Sequence, residues 1–67
     1  MIISESLSGV TLNLENLSGD YAIKITNNSQ VELDEVTISV GNNVDVTNLI
    51  EIDEECSLVL TNVTFKC

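Results

Sequence analysis

The chain repeats itself. Residues 22–40, moved on by 27 positions, fall on residues 49–67: Ile23 meets Ile50, Ile25 meets Ile52, Leu33 meets Leu60, Val36 meets Val63 and Thr37 meets Thr64. Val31, Ile38 and Val40 meet Leu58, Phe65 and Cys67, so apolar stands on apolar where identity is lost. Polarity class reverses only where Ser29 meets Cys56 and Glu32 meets Val59. A unit this short cannot enclose a core alone, so its copies must bury their apolar faces against one another. A weaker copy is expected 19 residues before the first, with Leu12, Leu14 and Leu17 under Val31, Leu33 and Val36. The difference between the two steps is assigned to Gly41–Asn48, read as a connecting loop bearing its own short strand, Val44-Asp45-Val46.

Inside each copy the period is two. Polar and aliphatic residues alternate in Ile23-Lys24-Ile25, Val31-Glu32-Leu33, Thr37-Ile38-Ser39-Val40, Ile50-Glu51-Ile52 and, earlier, Thr11 to Glu15. Short alternating runs rich in Val, Ile and Thr read as half-buried strands. The expected strands are 10–15, 21–26, 30–34, 36–40, 44–46, 49–53, 57–61 and 63–66. Breaks fall at Ser8-Gly9, Gly19-Asp20, Asn27-Asn28, Gly41-Asn42-Asn43 and Asp53-Glu54-Glu55. No window has the period of an amphipathic helix. The expected fold is all-β, in a single domain spanning 1–67. Within it, 1–9 is a candidate cap, 10–21 a partial coil, 22–40 and 49–67 the two copies, and 41–48 the connection.

One position breaks the alternation in every copy. Asn16, Glu35 and Asn62 are inserted between apolar residues, and one extra residue in a period of two turns the following side chains to the wrong face. The facing survives if the chain turns a corner there, with the inserted residue in a left-handed or bridge conformation. Strands separated by such corners build a parallel β-solenoid. The strings Leu12-Asn13-Leu14-Glu15-Asn16-Leu17 and Leu58-Val59-Leu60-Thr61-Asn62-Val63-Thr64-Phe65 resemble rungs of the parallel β-helix repeat proteins of the pectin-lyase-like type. The resemblance covers 10–67. It implies a short right-handed coil of two to three turns with asparagine-bearing corners, and it carries over no catalytic residue. A small antiparallel sandwich or barrel with a duplicated hairpin is the alternative.

The expected stacking can be read against charge, because like charges on adjacent strands repel at about 4.8 Å. Lys24 beside Glu51 is an opposite pair. Glu32 between Asn13 and Val59, and Glu35 between Asn16 and Asn62, are neutral, whereas Glu15 beside Asp34 is a clash.

Chemistry is sparse. The chain has 67 residues, two Lys or Arg, eleven Asp or Glu and no histidine, a formal net charge of −9. No basic surface exists to displace counterions from phosphate, so direct nucleic-acid binding is excluded. The aliphatic content opposes disorder, and no apolar run reaches spanning length. Without histidine, arginine or a glycine-rich phosphate loop there is no nucleophilic triad and no nucleotide cradle, so no enzyme activity and no cofactor are expected. Cys56 and Cys67 cannot complete an ordinary zinc site and read as free thiols, with a bridge that ties the terminal rung as the alternative. Glu51, Asp53, Glu54 and Glu55 could be imagined around calcium, yet their spacing matches neither an EF-hand nor a nonapeptide roll, and a solvated acidic turn is expected. The Asn-X-Ser/Thr triplets at Asn16, Asn27 and Asn62 read as turn asparagines. The N-terminus lacks a signal-peptide pattern, so a cytoplasmic location and no membrane partner are expected.

What remains is an acidic surface, with Glu32, Asp34, Glu35, Glu51, Asp53, Glu54 and Glu55 as the candidate partner-binding residues. Self-repulsion on so small a body exceeds what solubility requires and suits fast, salt-sensitive association with a basic partner. In size and charge the chain is similar to small phage nucleic-acid-mimic inhibitors such as anti-CRISPR proteins. The pentapeptide-repeat gyrase-binding proteins are similar in using a β-solenoid. Those likenesses imply an inhibitor or decoy that occupies the basic nucleic-acid-binding surface of a partner protein. The alternative expectation is a structural solenoid module of a viral fibre, capsid or adhesin that self-associates through its open coil ends.

Overall fold

The computed structural model describes all of residues 1–67. Nine strands follow one another without a helix: β1 (Ile2–Ile3), β2 (Leu7–Ser8), β3 (Thr11–Leu14), β4 (Leu17–Ile25), β5 (Gln30–Asp34), β6 (Thr37–Val40), β7 (Val44–Ile52), β8 (Ser57–Thr61) and β9 (Thr64–Lys66). Every third strand pairs, always in parallel, giving three sheets ordered β1-β4-β7, β2-β5-β8 and β3-β6-β9. The chain is thus a parallel β-solenoid of three coils and three faces. The antiparallel alternative is overturned, since no antiparallel pair occurs. Three coils at a strand spacing of about 4.8 Å account for the shortest principal extent, 12 Å, and leave a cross-section of 29 × 24 Å.

The 27-residue step is the register between the second and third coils. Ile23 pairs Ile50, Ile25 pairs Ile52, Val31 pairs Leu58, Leu33 pairs Leu60 and Ile38 pairs Phe65. The expected 19-residue step to the first coil is wrong. Leu12 lies beside Ile38 and Leu14 beside Val40, a step of 26, and the partner of Leu33 is Leu7. The error arose because a Leu-x-Leu run matches any alternating strand, so periodicity placed it one face too early. Two further readings change with it. Residues 1–9 supply β1 and β2, which pair with β4 and β5 as part of the first coil. The strand expected at 44–46 and the one at 49–53 are a single strand, β7, matched by an equally long β4.

The corners behave as the alternation requires. Asn16, Glu35 and Asn62 have φ of 56°, 54° and 52°. They do not share one corner: Gly9 (67°), Glu35 and Asn62 stack between the second and third faces, Asn16 and Asn43 (62°) between the third and first, and Asn28 (54°) and Glu55 (64°) between the first and second, with Asn27 (64°) beside Asn28. Asparagine tolerates this region because its short amide can bond locally, and glycine because it has no Cβ. At one corner the amides stack, Asn43 Nδ2 donating to Asn16 Oδ1 at 3.0 Å. Backbone bonds carry the ladder across the corners, with Glu35 N–H donating to the Thr61 carbonyl at 2.9 Å and Gly9 N–H to that of Asp34 at 3.0 Å.

Burial follows position in the stack. Ala22, Ile23, Ile25, Val31, Leu33, Val36 and Ile38, all in the second coil, are buried together with Ile3 and Leu14. Their third-coil counterparts point the same way but are covered on one side only: Ile52, Leu60 and Phe65 are 46%, 44% and 48% exposed. Two stability predictions follow from the corners and the coil gradient. Glu35→Asn is expected to stabilise by about 0.5–1 kcal/mol, because a short amide bonds locally in the left-handed region, and Glu35→Val to destabilise, because β-branching crowds the backbone most at positive φ. Leu33→Ala should cost about 2–5 kcal/mol, whereas Leu60→Ala on the same ladder should cost below about 1.5 kcal/mol. Urea unfolding followed by far-ultraviolet circular dichroism measures all four.

Candidate functional site

The solenoid distributes its carboxylates unevenly. On the third face, strands β3, β6 and β9 contain no Asp or Glu, and their outward residues are Thr11, Asn13, Thr37, Ser39, Thr64 and Lys66. The second face and the two corners beside it hold most of the acid. Glu32 and Asp34 lie on β5, Glu35 is the corner after it, and Asp53, Glu54 and Glu55 form the corner between β7 and β8. Glu51 stands on the first face near the end of β7. All seven candidate residues therefore sit on the second face or on the approach to it. Glu32, Glu35, Glu54 and Glu55 are exposed; Asp34, Glu51 and Asp53 are half-buried.

They differ in what they touch. Lys24 Nζ lies 3.1 Å from Glu51 Oε2 and 3.6 Å from Asp53 Oδ1. Its ammonium also stands 5.3 Å from the centre of the Tyr21 ring. Asp53 accepts a second bond at 2.7 Å from Thr26 Oγ1, the residue one coil below it. Glu51 and Asp53 are thus tied to a cation and held in place. No ion pair reaches Glu32, Asp34, Glu35, Glu54 or Glu55, which leaves their charge uncompensated. The Lys24–Glu51 pair follows from the 27-residue repeat. Asp53 as second anchor was missed, although the same step places Thr26 beside Asp53 and could have shown it.

Around Glu32 the second face carries a shallow hollow of about 250 Å³ lined by Ser6, Gln30, Val31, Glu32, Ser57 and Val59. Ser6 Oγ accepts the Glu32 backbone N–H at 2.9 Å, so the neighbour of Glu32 in the first coil is Ser6 and not the expected Asn13. The hollow is too small and open to enclose most of a drug-sized molecule. No three His, Cys, Asp or Glu side chains come together in a way that could hold a metal ion. Cys56 is half-buried, Cys67 exposed, and both are free thiols.

The one shifted titration belongs to Lys24. The Glu51 carboxylate, by accepting its hydrogen bond, holds the Lys24 ammonium above its ordinary 10.5; partial burial works the other way, and the charges of Asp53 and Glu51 add to the rise. A raised lysine pKa contributes stability that is complete below the unfolded value and is lost as pH climbs through the folded one. Between neutral pH and about 10 the contribution is therefore constant. Glu51→Gln should move the Lys24 titration back toward 10.5, as read by the pH dependence of its Cε resonance; an unmoved titration would show that the contact is not populated.

Comparison with known proteins finds no matching protein family, no matching curated protein and no matching solved structure.

Proposed function

We propose that the chain is a non-enzymatic binding module that presents the anionic second face and its corners to a basic surface of a partner protein. The observation that supports this is the polarisation of charge. Of the nine carboxylates without a cation partner, Glu32, Asp34, Glu35, Glu54 and Glu55 sit on the second face and its corners, whereas the strands of the third face have none. Rigidity matters because parallel strands fix the carboxylates relative to one another, so little ordering entropy is lost on binding. Large basic grooves are commonest on nucleic-acid-binding proteins, where carboxylates would stand in for phosphates. The module then acts as an inhibitor or decoy, a nucleic-acid mimic of the anti-CRISPR kind, in a phage or host cytoplasm. A second reading, a structural solenoid module that self-associates, is favoured by the half-exposed apolar residues of the third coil.

The test is capture from a lysate of the source organism on immobilised protein, with and without competing duplex DNA, at two salt concentrations. Basic nucleic-acid-binding proteins displaced by DNA and by salt are the expected catch. Glu32→Lys combined with Glu54→Lys should weaken capture about tenfold or more, chiefly through slower association. Retention of nothing basic would sink the decoy reading and leave the second.

A further inference from the structure

We propose that the solenoid stacks head-to-tail on copies of itself, the first coil of one molecule continuing the parallel ladder of the third coil of the next. The inference rests on the second reading above and specifies its partner and register. The third coil presents β7, β8 and β9 with one edge unpaired, and edges of this kind are templates for another strand. Along that edge Ile52, Leu60 and Phe65 are nearly half exposed. The opposite end is also largely apolar: Met1, Ile2, Ile3 and Leu7, with Ser4 and Glu5, line a hollow of about 300 Å³ on the first coil.

Register decides between the ways two ends can meet. Within the molecule, Ile3, Ile25 and Ile52 form one inward ladder, and Leu7, Leu33 and Leu60 another. Leu12, Ile38 and Phe65 form a third. A second copy advanced by three coils sets its Ile3 on Ile52, its Leu7 on Leu60 and its Leu12 on Phe65, so these three ladders continue without a change of residue class, while β1 covers only the last two residues of β7. Outward, the same register sets Ile2 on Glu51, Ser6 on Val59, Ser8 on Thr61, Thr11 on Thr64 and Asn13 on Lys66. No strand position brings like charges together, because the outward strand residues of the first coil are all uncharged; the one like-charge approach is at the corner, where Glu5 meets Asp53, Glu54 and Glu55. Tail-to-tail contact would instead face one third coil, with Asp45, Glu51, Asp53, Glu54 and Glu55, with another. The first coil brings only Glu5 and Glu15. The 29 × 24 Å cross-section bounds each end face below about 700 Å², so the contact is smaller than the roughly 800 Å² per partner of a standard interface and its assembly is concentration-dependent. The contact is heterologous and does not close on itself, so it generates filaments with a rise of about 14 Å per molecule.

Sedimentation velocity of the 67-residue chain over a concentration series is the test. At 0.15 M salt, wild type should form concentration-dependent oligomers, and more of them at 0.5 M salt, since net charge opposes stacking and salt screens it. That sign is opposite to the one expected of the decoy interaction, so the two readings fail separately. Phe65→Glu, with its fold checked by circular dichroism, should abolish assembly. Asn13→Lys, remote from the core, sets a lysine on Lys66 of the next copy and should weaken each contact about two- to fivefold at 0.15 M salt. Adding Lys66→Glu to Asn13→Lys should restore it. A monomer at every concentration overturns the proposal. Loss of assembly with Phe65→Glu but indifference to Asn13→Lys also overturns it, in favour of tail-to-tail pairing.

Discussion

The parallel ladder between coils is the interaction on which everything else in this molecule depends. No coil has a core of its own. Each inward side chain is buried by its counterparts one step along the chain, so Leu33 is fully buried between Leu7 and Leu60 while Leu60, with one neighbour, is 44% exposed. Stability is therefore close to a sum of nearest-neighbour contacts, as in other repeat architectures. It is concentrated in the second coil. The terminal coils are held by half as many neighbours, and they are where local opening is expected to begin.

The ladder in turn depends on its corners. A parallel strand cannot return through a two-residue hairpin, so each coil must bend the chain between faces and still deliver the next side chains inward. A single left-handed residue does this at Asn16, Glu35 and Asn62, and each then leads into an apolar residue, Leu17, Val36 and Val63, that packs on the core. Glu35 is the conspicuous member. It has neither the local hydrogen-bonding habit of asparagine nor the freedom of glycine, yet it stands between Gly9 and Asn62 in the stack. The chain accepts backbone strain there and gains an exposed carboxylate beside Asp34.

The sequence was legible where alternation and repetition coincide, and misleading where only one was present. The second and third coils share both pattern and length, so their register, strand limits at 30–34 and 57–61, and left-handed corners could be read from residues alone. The first coil is not a copy of the same length. Its passage from Ile3 to Leu7 spans four positions where Ile25 to Leu33 spans eight, so no constant offset aligns both of its ends. Alternation then slid the Leu12-x-Leu14 run onto the wrong face. At the acidic surface, composition identified the residues but not their states. Whether a carboxylate is free, like Glu54, or tied to Lys24, like Asp53, depends on which residue lies one coil away.

The observed register also explains how nine net negative charges coexist with coils about 4.8 Å apart. In the mistaken register Glu15 would lie against Asp34. In the observed one Glu15 packs beside Gly41, and Asp34 stands between Ser8 and Thr61. Glu32 stands between Ser6 and Val59, Asp45 beside Ser18, and Glu51 beside Lys24. At no paired strand position does a carboxylate stack on a carboxylate. The repeat is conserved inward, where identical aliphatic residues gain by stacking, and alternates outward, where identical charges would lose. A solenoid built this way can be strongly anionic toward a partner and still neutral along its own ladder. The same rule, applied at the open edge of β7 to β9, is what makes a first coil with uncharged strands the better neighbour.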